Sequence, residues 1–359
     1  MTVYYVTLIA VFIFSVAATG YVCGKDNFGR IKYNGIGNVY IFICTAILIF
    51  VAGFRYKVGT DYWEYMYGYE YRRDNWLQYV REFDEPGIHI IAKLGSYIKD
   101  SFATMFFLAA FITVGLIMWT IKKYSTNFVF SVLLYLFIGC WHGCFNGIRQ
   151  FLAMSIIFAG HRFLYEKKFW KYAMVVFIAM CFHKTAIIML PIYFLWNKKL
   201  DIKTIFMSMG VAIIIRYSYD SIFSFVSFLQ GSEVDTGFSY ATSSVNSLRV
   251  LVTLAPLFLI WISLKGKFME EDLEAKFYAF MVIINAMFSF ATTNSAYLAR
   301  AMIYTEIFQV LAYPRLLICF DDNSKKIAQM LICGLFLIYW LTGLYITDMR
   351  EYQFIFGNI

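Results

Sequence analysis

The chain has 359 residues, 61% of them hydrophobic and only 15% charged, too little polar surface to coat a soluble body of that length. Composition therefore excludes a soluble domain and indicates a polytopic membrane protein surrounded by membrane lipids, with a formal charge of +8; no nucleic-acid partner is expected. The seven cysteines (Cys23, Cys44, Cys140, Cys144, Cys181, Cys319, Cys333) lie in or beside apolar runs without a C-x-x-C pair, which suits small packing residues rather than a zinc site or a disulfide framework.

Apolar runs close to the roughly 20 residues that a helix needs to cross a bilayer recur along the chain. They place spans at 3–22, 37–54, 102–121, 127–144, 147–165, 169–182, 185–197, 204–219, 248–264, 277–295, 298–319 and 327–346. The expected fold is all-α, with about twelve transmembrane or half-spanning helices in one membrane domain over 1–359 and external loops at 55–100 and 220–246. The first run, "MTVYYVTLIAVFIFSVAATGYV", has no Lys or Arg before it, unlike a cleaved secretory signal, so it is expected to stay as the first helix.

The stretch 169–197 reads either as one kinked span or as two short ones meeting at His183 and Lys184. With two, 15 of the 19 lysines fall on one side, which the positive-inside rule makes cytoplasmic, and both termini face outward. With one, everything after residue 197 flips and the bias largely vanishes, so two arms are expected. Arginine behaves oppositely. Arg55, Arg72, Arg73, Arg81, Arg149, Arg216, Arg249, Arg300 and Arg350 sit on or near the outer face. A guanidinium cannot shed its proton and presents a planar fork of donors, so where it is desolvated it needs a phosphate or carboxylate. Arg72, Arg73, Arg81 and Arg350 read as ordinary loop charges.

The first outer loop opens with "FRYKVGTDYWEY". Arg55 stands at the membrane face, and Gly59-Thr60 gives the backbone freedom to turn Asp61 toward it. Asp61 and Glu64 also have the spacing of a helix cap, Asp61 as N-cap and Glu64 reaching back. Tyr62, Trp63, Tyr65, Met66 and Tyr69 then make an amphipathic helix in the headgroup region, with Tyr65 a candidate substrate contact. Further on, "EFDEPGIHIIAKLGSYIKD" holds an apolar segment too short to span, whose Pro-Gly start fits a re-entrant or interfacial helix near 85–98. Glu85 sits at its N-terminal end, where a carboxylate is also the ordinary partner of the helix dipole.

In "CWHGCFNGIRQFLAMS", helix through residue 153 puts Asn146, Arg149 and Gln150 on one face, with His142 a turn earlier. An Arg entering an apolar span marks a ligand site, and Gln150 is placed to orient it. "AMCFHKTAIIML" sets His183 and Lys184 at the outer tip of the short hairpin, a catalytic or phosphate-binding pair. Asn294, Tyr297, Arg300 and Tyr304, spaced by 3, 3 and 4, share a face near the outer end of the eleventh span. No phosphate loop, dinucleotide fingerprint, H-E-x-x-H or external D-x-D is present in the sequence, so no cofactor is indicated.

The motifs "FRYKVGTDYWEY", "GIRQFLA" and "FHKTAIIMLP", in this order and separated by hydrophobic spans, resemble the EpsG family of Wzy-like polysaccharide polymerases, over about residues 40–320. The resemblance implies a GT-C-like bacterial inner-membrane enzyme with its site facing outward. Such enzymes transfer a glycan from a polyprenyl (undecaprenyl) diphosphate to the next lipid-linked repeat of an exopolysaccharide, capsule or O-antigen, without metal or nucleotide, and a chain-length-regulating co-polymerase is a candidate partner. Arg55, Arg149 and Arg300, with Gln150, Lys184, Tyr65 and Tyr297, are the expected diphosphate or substrate contacts. Asp61 is the first choice of general base, His183 the second and Glu85 the third. A ligase with the same donor site is the nearest rival. A flippase should show cations through a central cavity and repeated halves, and an acyltransferase a His with a close acid, which His161 and Arg162 lack.

Overall fold

Helix falls within every one of the twelve apolar stretches. The computed structural model describes residues 1–196, 206–214, 216–218, 247–264, 272–293, 300–346 and 351–356. Helix α1 (Thr2–Thr19) and helix α2 (Gly35–Gly53) are joined by a hairpin of β1 (Val22–Lys25) and β2 (Ile31–Tyr33). Asn34 starts α2 by accepting from the Gly37 amide at 3.0 Å, the usual service of an N-cap side chain.

After β3 (Arg55–Tyr56), three short helices, α3 (Tyr62–Tyr67), α4 (Tyr69–Asp74) and α5 (Trp76–Glu82), lead into α6 (Pro86–Ile98) and α7 (Phe102–Tyr124). Then come α8 (Phe128–Phe137), α9 (Cys140–Gly143), α10 (Ile148–Gly160), α11 (Arg162–Tyr165), α12 (Phe169–Met180), a 3₁₀ turn Lys184–Met189 and α13 (Ile192–Leu195). Helical segments Ser247–Leu254, Pro256–Leu264, Leu273–Ala291, Ile303–Glu306, Gln309–Leu316 and Asp322–Ile346 follow. Strand β4 (Gln353–Phe354) returns to pair antiparallel with β3.

Six of these segments, α1, α2, α7, Leu273–Ala291, Arg300–Cys319 and Asp322–Tyr345, are long and apolar enough to cross a membrane, and shorter apolar helices fill the remaining stretches. Among the described residues the chain is an all-α membrane protein apart from two two-stranded pairings, β1 with β2 and β3 with β4. Helix α6 has 13 residues, about 20 Å of rise, short of the roughly 30 Å hydrocarbon core. It buries Ile88, His89, Ile91, Ala92 and Gly95 and leaves Leu94, Tyr97 and Ile98 exposed, as an interfacial or re-entrant helix does.

The stretch 169–196 folds as two arms. Phe169 meets Tyr193 with ring centroids 5.2 Å apart, and the Tyr172 hydroxyl donates to the Met189 carbonyl at 2.9 Å, which turns the second arm back along α12 and leaves His183 at the bend. The chain thus alternates between two ends. One end gathers β3, α3 to α6, the turn before α10, His183 and β4; the other gathers the β1–β2 hairpin, the end of α7, α11 and the start of Leu273–Ala291. A second apolar cluster, with Tyr62, Tyr65, Tyr69, Ile88, Phe106 and Ile148 among its members, seats α3, α4 and α6 on α7 and α10. Burying Ile88, Phe106 or Ile148 from water stabilises by about 1.5–3 kcal/mol each. The loop at 220–246 and Tyr297 lie outside the described residues.

Candidate active site

The turn before α6 is unusual in its backbone. Phe83 and Glu85 both take left-handed φ angles, 51° and 50°, which a residue with a side chain adopts at a cost and which gather at functional sites. Pro86 then opens the helix with its fixed φ. At the next position the Gly87 amide donates to the Cys181 carbonyl at 2.7 Å, and a Cβ there would lie 2.4 Å from the Phe182 ring. Only glycine lets α6 dock this closely on the bend between the two arms.

That docking delivers Glu85 to three donors. Its Oε1 accepts from His183 Nδ1 at 2.7 Å and from the Lys184 amide at 2.8 Å, and its Oε2 accepts from Arg149 Nη1 at 2.7 Å. Glu85 is 8% exposed. Burial pushes its carboxyl upward, but the hydrogen bonds from His183 and the Lys184 amide and the charges of His183 and Arg149 outweigh it, and the group ends below the usual glutamate range. A carboxylate facing Nδ1 calls for a proton on Nδ1, which leaves Nε2 as the ring nitrogen able to accept one.

Arg149 sits in the first turn of α10, which starts at Ile148 after a turn and not at Asn146. Its Nε donates to the Tyr65 hydroxyl at 3.3 Å, Nη2 takes part in neither bond, and the side chain is 36% exposed. Gln150 points elsewhere than expected: its Nε2 donates to the Arg300 carbonyl at 2.8 Å, so it ties the segment after residue 300 to α10 instead of orienting Arg149. Beside it the Tyr304 and Thr185 hydroxyls share a hydrogen bond of 2.9 Å. The Lys184 ammonium pairs with Asp84 at 2.6 Å. Tyr65, Glu85, Arg149, Gln150, His183, Lys184 and the Arg300 backbone thus come together from five segments separated by up to about 235 residues of sequence.

Arg55 does not join them. It is 2% exposed and donates to three carbonyls, Ala52 at 2.5 Å, Phe145 at 3.1 Å and Val58 at 3.3 Å, between the rings of Phe106 and Phe145. One of those carbonyls belongs to the last turn of α2, where a cation meets the negative end of the helix dipole. In Arg55→Met, three buried acceptors lose their donor, a cost of about 3 kcal/mol or more; the expected result is a lower unfolding temperature in detergent with little change in the affinity of the folded fraction for substrate.

Asp61 stands on the rim. It occupies the N-cap position of α3 without a capping hydrogen bond, and Glu64 pairs with Arg72 at 2.8 Å instead of reaching back. The Thr60 hydroxyl donates to Asp61 at 3.1 Å, while the Thr60 amide donates to Asn146, three residues before Arg149, at 2.8 Å. Gly59 has a φ of 104°, and a Cβ there would stand 2.7 Å from Asn146 Oδ1 and the Phe145 carbonyl, so this loop also needs a glycine. The pairings of Tyr304 with Thr185 and of Asp84 with Lys184 escaped sequence reasoning; the available signals were that Tyr304 follows Arg300 by four and that Asp84 and Thr185 adjoin residues already singled out.

Among the described residues, no group of three or more His, Cys, Asp and Glu side chains is placed to hold a metal ion. No curated protein and no solved structure matches the sequence. The model of the EpsG family does, over residues 38–356, nearly the whole chain. A membrane-embedded bundle that gathers an arginine, a histidine and a shared carboxylate at one end is therefore a member of the EpsG family, whose members are Wzy-like polysaccharide polymerases.

Proposed function

We propose that this chain polymerises oligosaccharide repeat units carried on a polyprenyl diphosphate, at the outer face of the bacterial cytoplasmic membrane, as a GT-C-like glycosyltransferase that needs no metal or nucleotide. The observation that carries the reading is the Glu85 carboxylate bound at once by Arg149 and His183. It joins a fixed cation, suited to a leaving diphosphate, to an imidazole held in the tautomer of a base.

In this mechanism Nε2 of His183 takes the proton from the acceptor hydroxyl as its oxygen attacks the anomeric carbon. The bond from that carbon to the diphosphate breaks, and the polyprenyl diphosphate departs with the electron pair against Arg149, with Arg300 and Lys184 at the same end. Glu85 is then a positioning residue rather than the base. Asp61 on the rim ranks below His183, because no buried partner orients its carboxylate. Lysines 25, 32, 122, 123, 167, 168 and 171 cluster at the opposite end, which supports an outward-facing site by the positive-inside rule.

Purified protein supplied with the native lipid-linked repeat in chelator, without nucleotide, yields a ladder of products on a gel. A ligase gives one conjugate and a flippase none, and a strict requirement for metal or nucleotide rejects the mechanism.

A further inference from the structure

At the other end of the molecule lies a cavity of about 580 Å³ whose wall includes Phe28 and Arg30, Lys123, Arg162, Glu166 and Leu273. It is built from the β1–β2 hairpin, the ends of α7 and α11, and the start of Leu273–Ala291. From Arg149 to Arg162 is 13 positions along α10 and α11, roughly 20 Å of helical rise, so this is not an extension of the Glu85 site.

Its cations divide into two sets. Arg30 donates to Glu274 at 2.8 Å, and Arg315, 6% exposed, pairs with Asp272 and donates to the Phe28 carbonyl. These two hold the cavity's frame and their charges are met. Lys123 and Arg162 form no ion pair among the described residues. Lys123 lies over the Trp119 ring at 4.5 Å and Arg162 over Phe163 at 5.0 Å. The one remaining acid of the wall, Glu166, turns to Lys168 at 2.8 Å. Two cations without an ion pair among the described residues therefore share one cavity with the already paired Arg30, and their mutual repulsion favours the entry of an anion.

The rim is apolar. Phe28 is 52% exposed and Leu273 47%, and Trp119 is exposed beside Lys123, the aromatic and cationic mix that marks a membrane–water interface. The volume falls in the range of small-molecule sites and exceeds what a bare inorganic anion fills. We propose that this cavity binds the phosphate of an anionic membrane amphiphile, a second phosphate site on the face away from the polymerising centre, with Lys123 and Arg162 on the phosphate and Phe28 and Leu273 against the first apolar part of the molecule. The chemistry shared with a free phosphate is the oxyanion itself.

The test is native mass spectrometry of the full chain in detergent with dioleoyl phosphatidylglycerol, with dioleoyl phosphatidylcholine, and with phosphatidylglycerol in the presence of millimolar inorganic phosphate. The expected result is selective retention of phosphatidylglycerol, weakened about 25-fold in K123Q/R162Q, a factor of about five for each cation near a membrane surface. Glu166→Gln, which removes the nearest negative charge, strengthens retention and guards against a loss caused by misfolding. Competition by inorganic phosphate assigns the occupant to a free anion and its absence to a lipid headgroup; both keep the oxyanion site. Equal retention of the two lipids by the unaltered chain, or undiminished phosphatidylglycerol in K123Q/R162Q, overturns it.

Discussion

Glu85→Gln lowers the rate of polymer formation by about 10²–10⁴-fold, the span that a positioned acid–base group contributes. The substitution keeps the volume, so the loss reports charge and proton placement. An amide can present an N–H to His183 Nδ1, and the imidazole then carries its proton on Nε2, where it cannot accept one from the acceptor hydroxyl. Arg149 at the same time loses its counter-charge at a half-buried contact of 2.7 Å. A purely structural Glu85 predicts something different, a lower yield of folded protein with a normal rate per folded molecule, and the comparison of rate with folded fraction separates the two. The carboxyl of Glu85 is held below its ordinary range by its partners, and the stability this supplies is present above the unfolded value of about pH 4.3. It is lost as pH falls through the lower folded value. Unfolding temperatures of the parent chain and Glu85→Gln therefore converge in strong acid and separate as pH rises toward about 4.3, above which the gap is fully open; a gap that stays constant as pH falls below that value refutes the assignment.

Arg149→Lys is the second large effect. Lysine keeps the charge but concentrates it on one nitrogen, which cannot reach the Tyr65 hydroxyl, Glu85 and an incoming phosphate together. Loss of one such preorganised donor costs about 10²–10³ in rate. Arg149→Lys cells accumulate single lipid-linked repeats with little long polymer, and Arg149→Ala makes none at a normal level of protein in the membrane. Polymer of normal length from Arg149→Ala would remove the residue from the mechanism.

Much of this site was legible before the structure because its members break the pattern of their surroundings. Arg149 enters an apolar run, His183 and Lys184 interrupt another, and Glu85 precedes a Pro-Gly start. What sequence does not carry is the partner. Arg55 has the same local look as Arg149, a cation at the edge of a span, yet carbonyls of α2 and of the turn after α9 consume it. A lone buried arginine is satisfied equally by an anion or by several carbonyl dipoles, and only the fold says which. Gln150 shows the same limit, since its partner is a carbonyl 150 positions away. The capping reading of Asp61 and Glu64 failed because Arg72, eight residues on from Glu64, competes for that carboxylate. The two-arm reading of 169–197 rested on the distribution of lysines alone, and the contacts of Phe169 and Tyr172 agree with it.

The pairing of β3 with β4 bears on how the protein is made. Arg55 and Tyr56 meet strand partners at Phe354 and Gln353, so the loop that leads to Asp61 gains this edge only after about 300 further residues have been synthesised. Contacts so distant along the chain form late. Until then the helices can insert while the loop after α2 remains unlatched on that side. The unfinished polypeptide is thereby kept from assembling this part of the site, and a ribosome that stalls before residue 353 leaves behind an inserted bundle whose loop is still open.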